Sequence, residues 1–71
     1  MNDGQRTEIL ELLQEFRFEP LTSGLQRRIL EKLLSANLMV PVRTVGKNER
    51  SDLVITFIDR TEFTISLDNV Q

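Results

Sequence analysis

The segment from Leu53 to Leu67 constrains the fold more than any other part of this sequence. Its first half, Leu53–Ile58, is almost continuously apolar and is rich in β-branched and aromatic residues. Its second half, Phe63–Leu67, alternates strictly between apolar and polar residues, and the residues between the two halves are polar. A continuous apolar run is typical of an inner strand, and strict alternation is typical of a half-solvated neighbour. The pattern therefore predicts an antiparallel hairpin whose first strand lies inside the sheet.

The register of this hairpin depends on the length of its loop. An odd loop, such as Asp59–Thr61, would bring the apolar side chains of both strands to one face. These side chains are Leu53, Ile55, Phe57, Phe63, Ile65 and Leu67. A loop of two or four residues would instead turn Val54, Thr56 and Ile58 to that face. We favour the odd loop because it collects the larger apolar set.

A first amphipathic helix is predicted upstream. Its apolar residues recur at helical spacing between Ile9 and Phe16, with acidic and amide side chains on the other face. The helix is expected to begin near Asp3 or Thr7, either of which could cap it. Pro20 is expected to end it, because the residue before a proline is pushed out of the helical region.

A second amphipathic helix is predicted after a short connection. Ser23 is the expected N-cap, and Gln26 would complete a capping box. The apolar stripe that follows consists of Leu25, Ile29, Leu30, Leu33 and Leu34. Asn37 is the expected stop, since asparagine tolerates the left-handed conformation.

Leu38–Val45 has the composition of a strand but contains Pro41, so it is predicted to be an edge strand or an irregular lead-in. Gly46–Asp52 is polar and is predicted to be an exposed loop. Together the segments predict one small α+β domain over residues 1–71, in the order α-α-β-β-β. Two amphipathic helices would pack on one face of a three-stranded antiparallel sheet.

The composition argues against catalysis. The 71 residues include no Cys, His or Tyr, so the commonest metal ligand and the usual near-neutral base are absent, and any nucleophile or base would have to be a Ser, Thr, Lys, Asp or Glu. No phosphate-binding glycine loop or nucleophile elbow is present. We therefore predict no catalytic residue, no metal site and no cofactor. No apolar run is long enough to span a membrane, and the first residues lack the pattern of a secretion signal, which favours a cytoplasmic protein.

Protein binding is the favoured function, and the chain is expected to form a homodimer or to bind a protein partner. A domain of this size is marginally stable alone, so association would help it. The candidate interface residues are Phe16, Phe18, Leu21, Met39 and Val40. The acidic first helix could meet the basic middle segment of a second copy. A further hypothesis is that this helix mimics nucleic acid through Glu8, Glu11, Glu15 and Glu19.

Nucleic-acid binding is the alternative. The net charge is −2, but basic residues concentrate in the middle third of the chain. The candidates are Arg27, Arg28, Lys32, Arg43, Lys47 and Arg50. Two helices before a β-hairpin partly match the order of a winged-helix domain, in which a helix enters a DNA groove. The missing third helix, the negative net charge and the lack of a free aromatic for base stacking argue against this alternative.

Overall fold

The computed structural model describes residues 2–70 and confirms an α+β fold with the element order α-α-β-β-β. The helices and strands, in chain order, are α1 Asp3–Leu13, α2 Ser23–Ser35, β1 Val42–Lys47, β2 Leu53–Phe57 and β3 Glu62–Ile65. Short 3₁₀ turns follow α1 at Gln14–Phe16 and β3 at Leu67–Asn69.

The strands form one antiparallel sheet in the order β1-β2-β3. β2 is the inner strand, as predicted. β1 is an edge strand, and Pro41 immediately precedes it, so the proline takes no ladder position that needs an N–H donor. The register of β1 shifts between Val42 and Thr44, which leaves Arg43 as a bulge. β1 extends to Lys47, so the observed connection between β1 and β2 is shorter than the predicted loop Gly46–Asp52.

The β2–β3 register confirms the odd loop and moves it by one residue. Ile55 pairs with Phe63, and Leu53 pairs with Ile65. The Phe57 N–H donates to the Thr61 carbonyl at 2.9 Å, so the loop is Ile58–Arg60 and not Asp59–Thr61.

Both hairpin turns use the same backbone solution. In each, a three-residue loop ends on a left-handed residue, Ser51 at φ 64° and Arg60 at φ 72°. Side-chain acceptors support both turns. The Asn48 Oδ1 accepts from the backbone N–H groups of Arg50 and Asp52. The Asp59 carboxylate accepts from the hydroxyl and the N–H of Thr61, and these bonds lower the pKa of Asp59.

The bounds of α1 correct the sequence prediction. The N-cap is Asn2, and not Asp3 or Thr7, because the Asn2 side chain accepts from the Gln5 N–H at 2.8 Å. The α-helix ends at Leu13, well before Pro20. The next turn tightens to 3₁₀ geometry and is followed by a chain reversal at Phe16–Glu19, which an uninterrupted helix could not make.

The N-cap of α2 is Thr22 and not Ser23, since the Thr22 hydroxyl accepts from the Leu25 N–H at 3.2 Å. The predicted capping box is therefore absent, and the Gln26 amide reaches the Leu21 carbonyl at 3.4 Å. Asn37 takes the left-handed conformation predicted for it, at φ 58°. The apolar stripe is buried at its centre, but Leu34 is 56% exposed.

The core is one cluster that draws on both helices, all three strands and the C-terminal turn. Its fully buried side chains include Ile9, Ile29, Ile55 and Phe57. Val70, for which the sequence offered no signal, is also fully buried. The last described residues therefore close the core.

Gln5 is a buried polar side chain, 4% exposed. Its amide makes two hydrogen bonds to one residue of the α2–β1 connection. The Gln5 Nε2 donates to the Val40 carbonyl at 2.9 Å, and the Val40 N–H donates to the Gln5 Oε1 at 2.8 Å. This fork satisfies both backbone groups of Val40 and ties the start of α1 to the entry of β1.

Candidate interaction surface

The chain reversal after α1 is a β-turn with an unusual residue at its third position. The Glu19 N–H donates to the Phe16 carbonyl at 3.1 Å, Arg17 has φ −57° and ψ 133°, and Phe18 has φ 66°. These angles are those of a type II turn, whose third position requires positive φ and favours glycine or asparagine. A phenylalanine there is strained by about 1–2 kcal/mol.

The ring of Phe18 does not recover this cost by burial, because the residue is 64% exposed. The Arg17 guanidinium lies 4.6 Å from the ring centroid, which is a cation–π contact on the protein surface. The turn therefore holds an aromatic ring in solvent with a backbone conformation that the side chain disfavours.

Phe18 lies at a cleft of about 550 Å³ between the α1–α2 connection and one end of the sheet. The connection contributes Phe18, Glu19, Pro20, Leu21 and Thr22. The opposite wall comes from the end of β1, the β1–β2 turn and the residues after β3, namely Lys47, Ser51, Ser66, Leu67 and Asp68. Phe18, Pro20, Leu21 and Leu67 make the apolar part of this lining. We call this site the Phe18 cleft.

The charged groups of the Phe18 cleft have both signs. Lys47 supplies an ammonium, and Glu19 and Asp68 supply carboxylates. The Glu19 carboxylate lies 3.9 Å from the Arg28 guanidinium, and the two side chains are 41% and 62% exposed, so water screens this pair and it is weak. The cleft can accept an apolar side chain together with polar groups of either charge.

The structure separates the five predicted interface residues. Phe18 and Leu21 line the cleft, whereas Phe16 is a core residue with 2% exposure. Met39 and Val40 follow the C-terminal end of α2, whereas the cleft residues Phe18 and Leu21 precede its N-terminal end. Met39 is 81% exposed, and the Ile58 N–H donates to the Pro41 carbonyl, which places the exposed Ile58 beside the same segment.

The three basic candidates of α2 all have acidic neighbours within the chain. The Lys32 ammonium lies 2.6 Å from the Glu15 carboxylate, and Arg28 pairs with Glu19. Arg27 lies 3.7 Å from Glu31, one turn further along α2. Arg28 and Lys32 also face the Phe16 ring, at 5.4 and 5.6 Å from its centroid. The carboxylates of Glu15 and Glu19, which follow α1, thus pair with basic side chains of α2 in the same chain.

The other basic candidates are dispersed. Arg43 is at the bulge near the start of β1, Lys47 ends that strand, and Arg50 is in the β1–β2 turn. Arg43 is therefore at the opposite end of β1 from the other two.

Within residues 2–70, no cluster of three or more acidic side chains is placed to hold a metal ion. Across the same residues, neither helix is long and apolar enough to cross a membrane.

Gln5 and most of the far wall of the cleft were missed from the sequence, which named only Lys47 of that wall, as a nucleic-acid candidate. Gln5 precedes Ile9 by one helical turn, so a polar residue on an apolar stripe was the available signal. Ser66 and Leu67 were predicted only as the end of a strand, and Asp68 carried no signal, because only the folded sheet brings these residues opposite Phe18.

Comparisons with protein-family models, with curated proteins and with solved structures found no significant match to this chain.

Proposed function

We propose that this chain is a non-enzymatic protein-interaction domain that binds a partner protein through the Phe18 cleft. The observation that supports this most directly is the exposed ring of Phe18 on a strained turn. Strained residues of this kind concentrate at ligand clamps and binding sites, where the fold tolerates their cost. Aromatic side chains that project beside a pocket are also the usual anchors of protein interfaces.

The volume of the cleft suits one or two side chains of a partner. Leu21 and Leu67 would receive the apolar part of such a segment, and the Phe18 ring would cover it. Lys47, Glu19 and Asp68 would form the polar rim. In this proposal both helices cover the sheet face that carries Leu53, Ile55 and Phe57, which keeps the cleft at the end of the sheet open.

The test is a comparison of proteins captured from the native host by wild type and by Phe18→Gly. Glycine suits the turn position, so this change removes the ring and keeps the backbone. We expect the proteins that wild type retains to be lost, or reduced by about tenfold, with Phe18→Gly. Mass spectrometry of the eluates measures this loss.

Arg60→Gly is the matched control. It makes the same change of a left-handed residue to glycine, in the turn at the other end of the sheet. We expect Arg60→Gly to capture the same proteins as wild type. Equal capture by wild type and Phe18→Gly would reject the cleft as the binding site, and nucleic acid in the wild-type eluate would favour the alternative function.

A further inference from the structure

β3 carries backbone groups that are open to a further strand. The Phe57 and Thr61 pair is hydrogen-bonded at the start of the β2–β3 ladder, and the antiparallel pattern alternates from there. Ile55 with Phe63 and Leu53 with Ile65 are therefore hydrogen-bonded pairs. The N–H and C=O groups of Glu62 and Thr64 point away from β2, toward the open edge. Both residues are exposed.

The two edges of the sheet differ in protection. β1 has a proline before it, a bulge at Arg43 and a lysine at its end, and all three are devices that block edge-to-edge pairing. If β1 paired with itself about Val45, Arg43 would lie opposite Lys47 of the second copy, and like charges would meet. β3 has no proline and no bulge, and Glu62 is its one charged residue.

We infer that two copies of this chain pair through β3, antiparallel and with the two-fold axis at Thr64, to form a six-stranded sheet. In this register the outward groups of the two Thr64 residues bond each other, and the Ser66 N–H reaches the Glu62 carbonyl of the second copy. The Ser66 carbonyl already accepts from the Asn69 N–H at 3.0 Å, so this group has a partner within its own chain and the pairing does not depend on it.

The side chains of β3 are self-complementary in this register. On the inner face, Phe63 lies opposite Ile65 of the second copy, and this aromatic and β-branched pair occurs twice. On the outer face, the two Thr64 side chains are opposite each other, and Glu62 faces Ser66. No like charges are directly opposed. Ile65 is only half-buried in one copy, so the pairing would complete its burial.

The neighbouring flank of α1 adds to the same surface. The Arg6 guanidinium lies 5.5 Å from the Phe63 ring centroid, which places this flank of α1 beside β3. Leu10 is four residues further along, so it lies on the same flank, and it is half-buried. A second copy paired at β3 would bring its own Leu10 toward this flank. The interface is thus isologous and closes as a dimer.

The experiment is sedimentation equilibrium of the wild-type chain and Thr64→Glu, from about 1 µM to 1 mM protein. The new carboxylates would oppose each other at the axis, so we expect the dimer dissociation constant of Thr64→Glu to rise by at least about tenfold. Thr44→Glu is the matched control: it makes the same change on an exposed threonine of the other edge, and it should dimerise as wild type does.

A charge-reversed pair separates loss of pairing from loss of fold. An equimolar mixture of Thr64→Glu and Thr64→Lys should form a heterodimer, which circular dichroism and sedimentation would detect as a folded species of twice the mass. Amide exchange at Thr64 should also slow as wild-type protein is concentrated.

A wild-type monomer at every concentration would overturn the inference, and so would equal effects of Thr64→Glu and Thr44→Glu. Failure of the inference is separable from failure of the proposed function. Partner capture through the cleft depends on Phe18, so Thr64→Glu should retain it whether or not the chain dimerises.

Discussion

Left-handed backbone at residues other than glycine is the most informative feature at the scale of single residues. Among residues 2–70, Phe18, Asn37, Ser51 and Arg60 have positive φ. Asparagine at a helix end is common, and Asn37 needs no further explanation. The other three positions are strained, but the three-residue turns that Ser51 and Arg60 close require a left-handed residue there. Phe18 alone combines the strain with a large exposed apolar side chain.

These residues give a stability prediction. Ser51→Gly and Arg60→Gly should each raise the free energy of unfolding by about 0.5–1 kcal/mol, because the relieved strain exceeds the extra chain entropy of glycine. Phe18→Gly should stay within about 0.5 kcal/mol of wild type, since it gains the same relief and loses only a surface cation–π contact. Urea unfolding measures all three. A loss above about 2 kcal/mol for Phe18→Gly would mean that the ring supports the core instead of a binding site.

Gln5 shows how one polar side chain can supply the two hydrogen bonds that a neighbouring strand would give to a residue. Both of its amide atoms are used, and both act on Val40, a residue in a connection that has no strand partner. The two groups of Val40 would otherwise be left without an acceptor and a donor in a partly buried place. A residue that sequence periodicity treats as a polar intrusion is therefore a structural crosslink.

Gln5→Leu should be strongly destabilising. Leucine fits the buried position, but it leaves the Val40 N–H and carbonyl unpaired, at a cost of about 2–4 kcal/mol for the two groups. Gln26→Leu is the comparison, because Gln26 makes one long bond to a loop carbonyl and should cost less than about 1 kcal/mol. Urea unfolding of the two variants gives the difference. Equal losses would contradict the role assigned to the Gln5 fork.

At the scale of elements, the sequence predicted what depends on local pattern. The period of apolar residues identified both helices, and the apolar run identified β2 as the inner strand. Pro41 limited Leu38–Val45 to an edge strand or an irregular lead-in, and the structure has an edge strand there, at Val42–Lys47. The order α-α-β-β-β followed from these. Whether the hairpin loop has an odd or an even number of residues was also predictable, because only an odd loop brings the larger apolar set of both strands to one face.

The sequence could not predict which of several neighbouring residues with similar capping propensity makes the hydrogen bond at the start of a helix. Asn2, Asp3 and Thr7 can all cap a helix, as can Thr22 and Ser23, and tertiary position decides among them. The early end of α1 reflects a strained turn at Phe18 that no residue preference predicts. The Phe18 cleft was predicted only in part. Its near wall contains the predicted interface residues Phe18 and Leu21, whereas its far wall comes from strand ends and a turn that only the folded sheet brings together.

At the scale of the whole molecule, the uneven charge of the sequence becomes internal pairing. Residues 1–20 are acidic and the middle of the chain is basic, and the fold brings Glu15 and Glu19 to Lys32 and Arg28. The charge asymmetry that suggested contacts between copies, or with nucleic acid, is thus partly satisfied within one chain. These exposed pairs contribute little to stability, but they lower the net field of α2.

This arrangement leads to a prediction for the alternative function. The wild-type chain should show no measurable binding to mixed duplex DNA or RNA at ~50 mM salt, because basic side chains of α2 pair with carboxylates of the same chain. The condition is a fair test, since a non-specific binder would retain electrostatic affinity at this salt concentration. Fluorescence anisotropy of labelled duplexes measures this. Binding that weakens steeply with salt and is abolished by Arg27→Ala with Arg28→Ala would instead establish a nucleic-acid interface on α2.

The Gln5 fork also offers a way to observe how the domain assembles. Its two ends are separated by 35 positions in the chain. The Val40 amide proton is therefore shielded only while the N-terminal helix stays docked, and its exchange with deuterated solvent records how often that helix detaches. The exchange rate of this one amide proton would thus measure the frequency of partial opening separately from the global unfolding of the sheet.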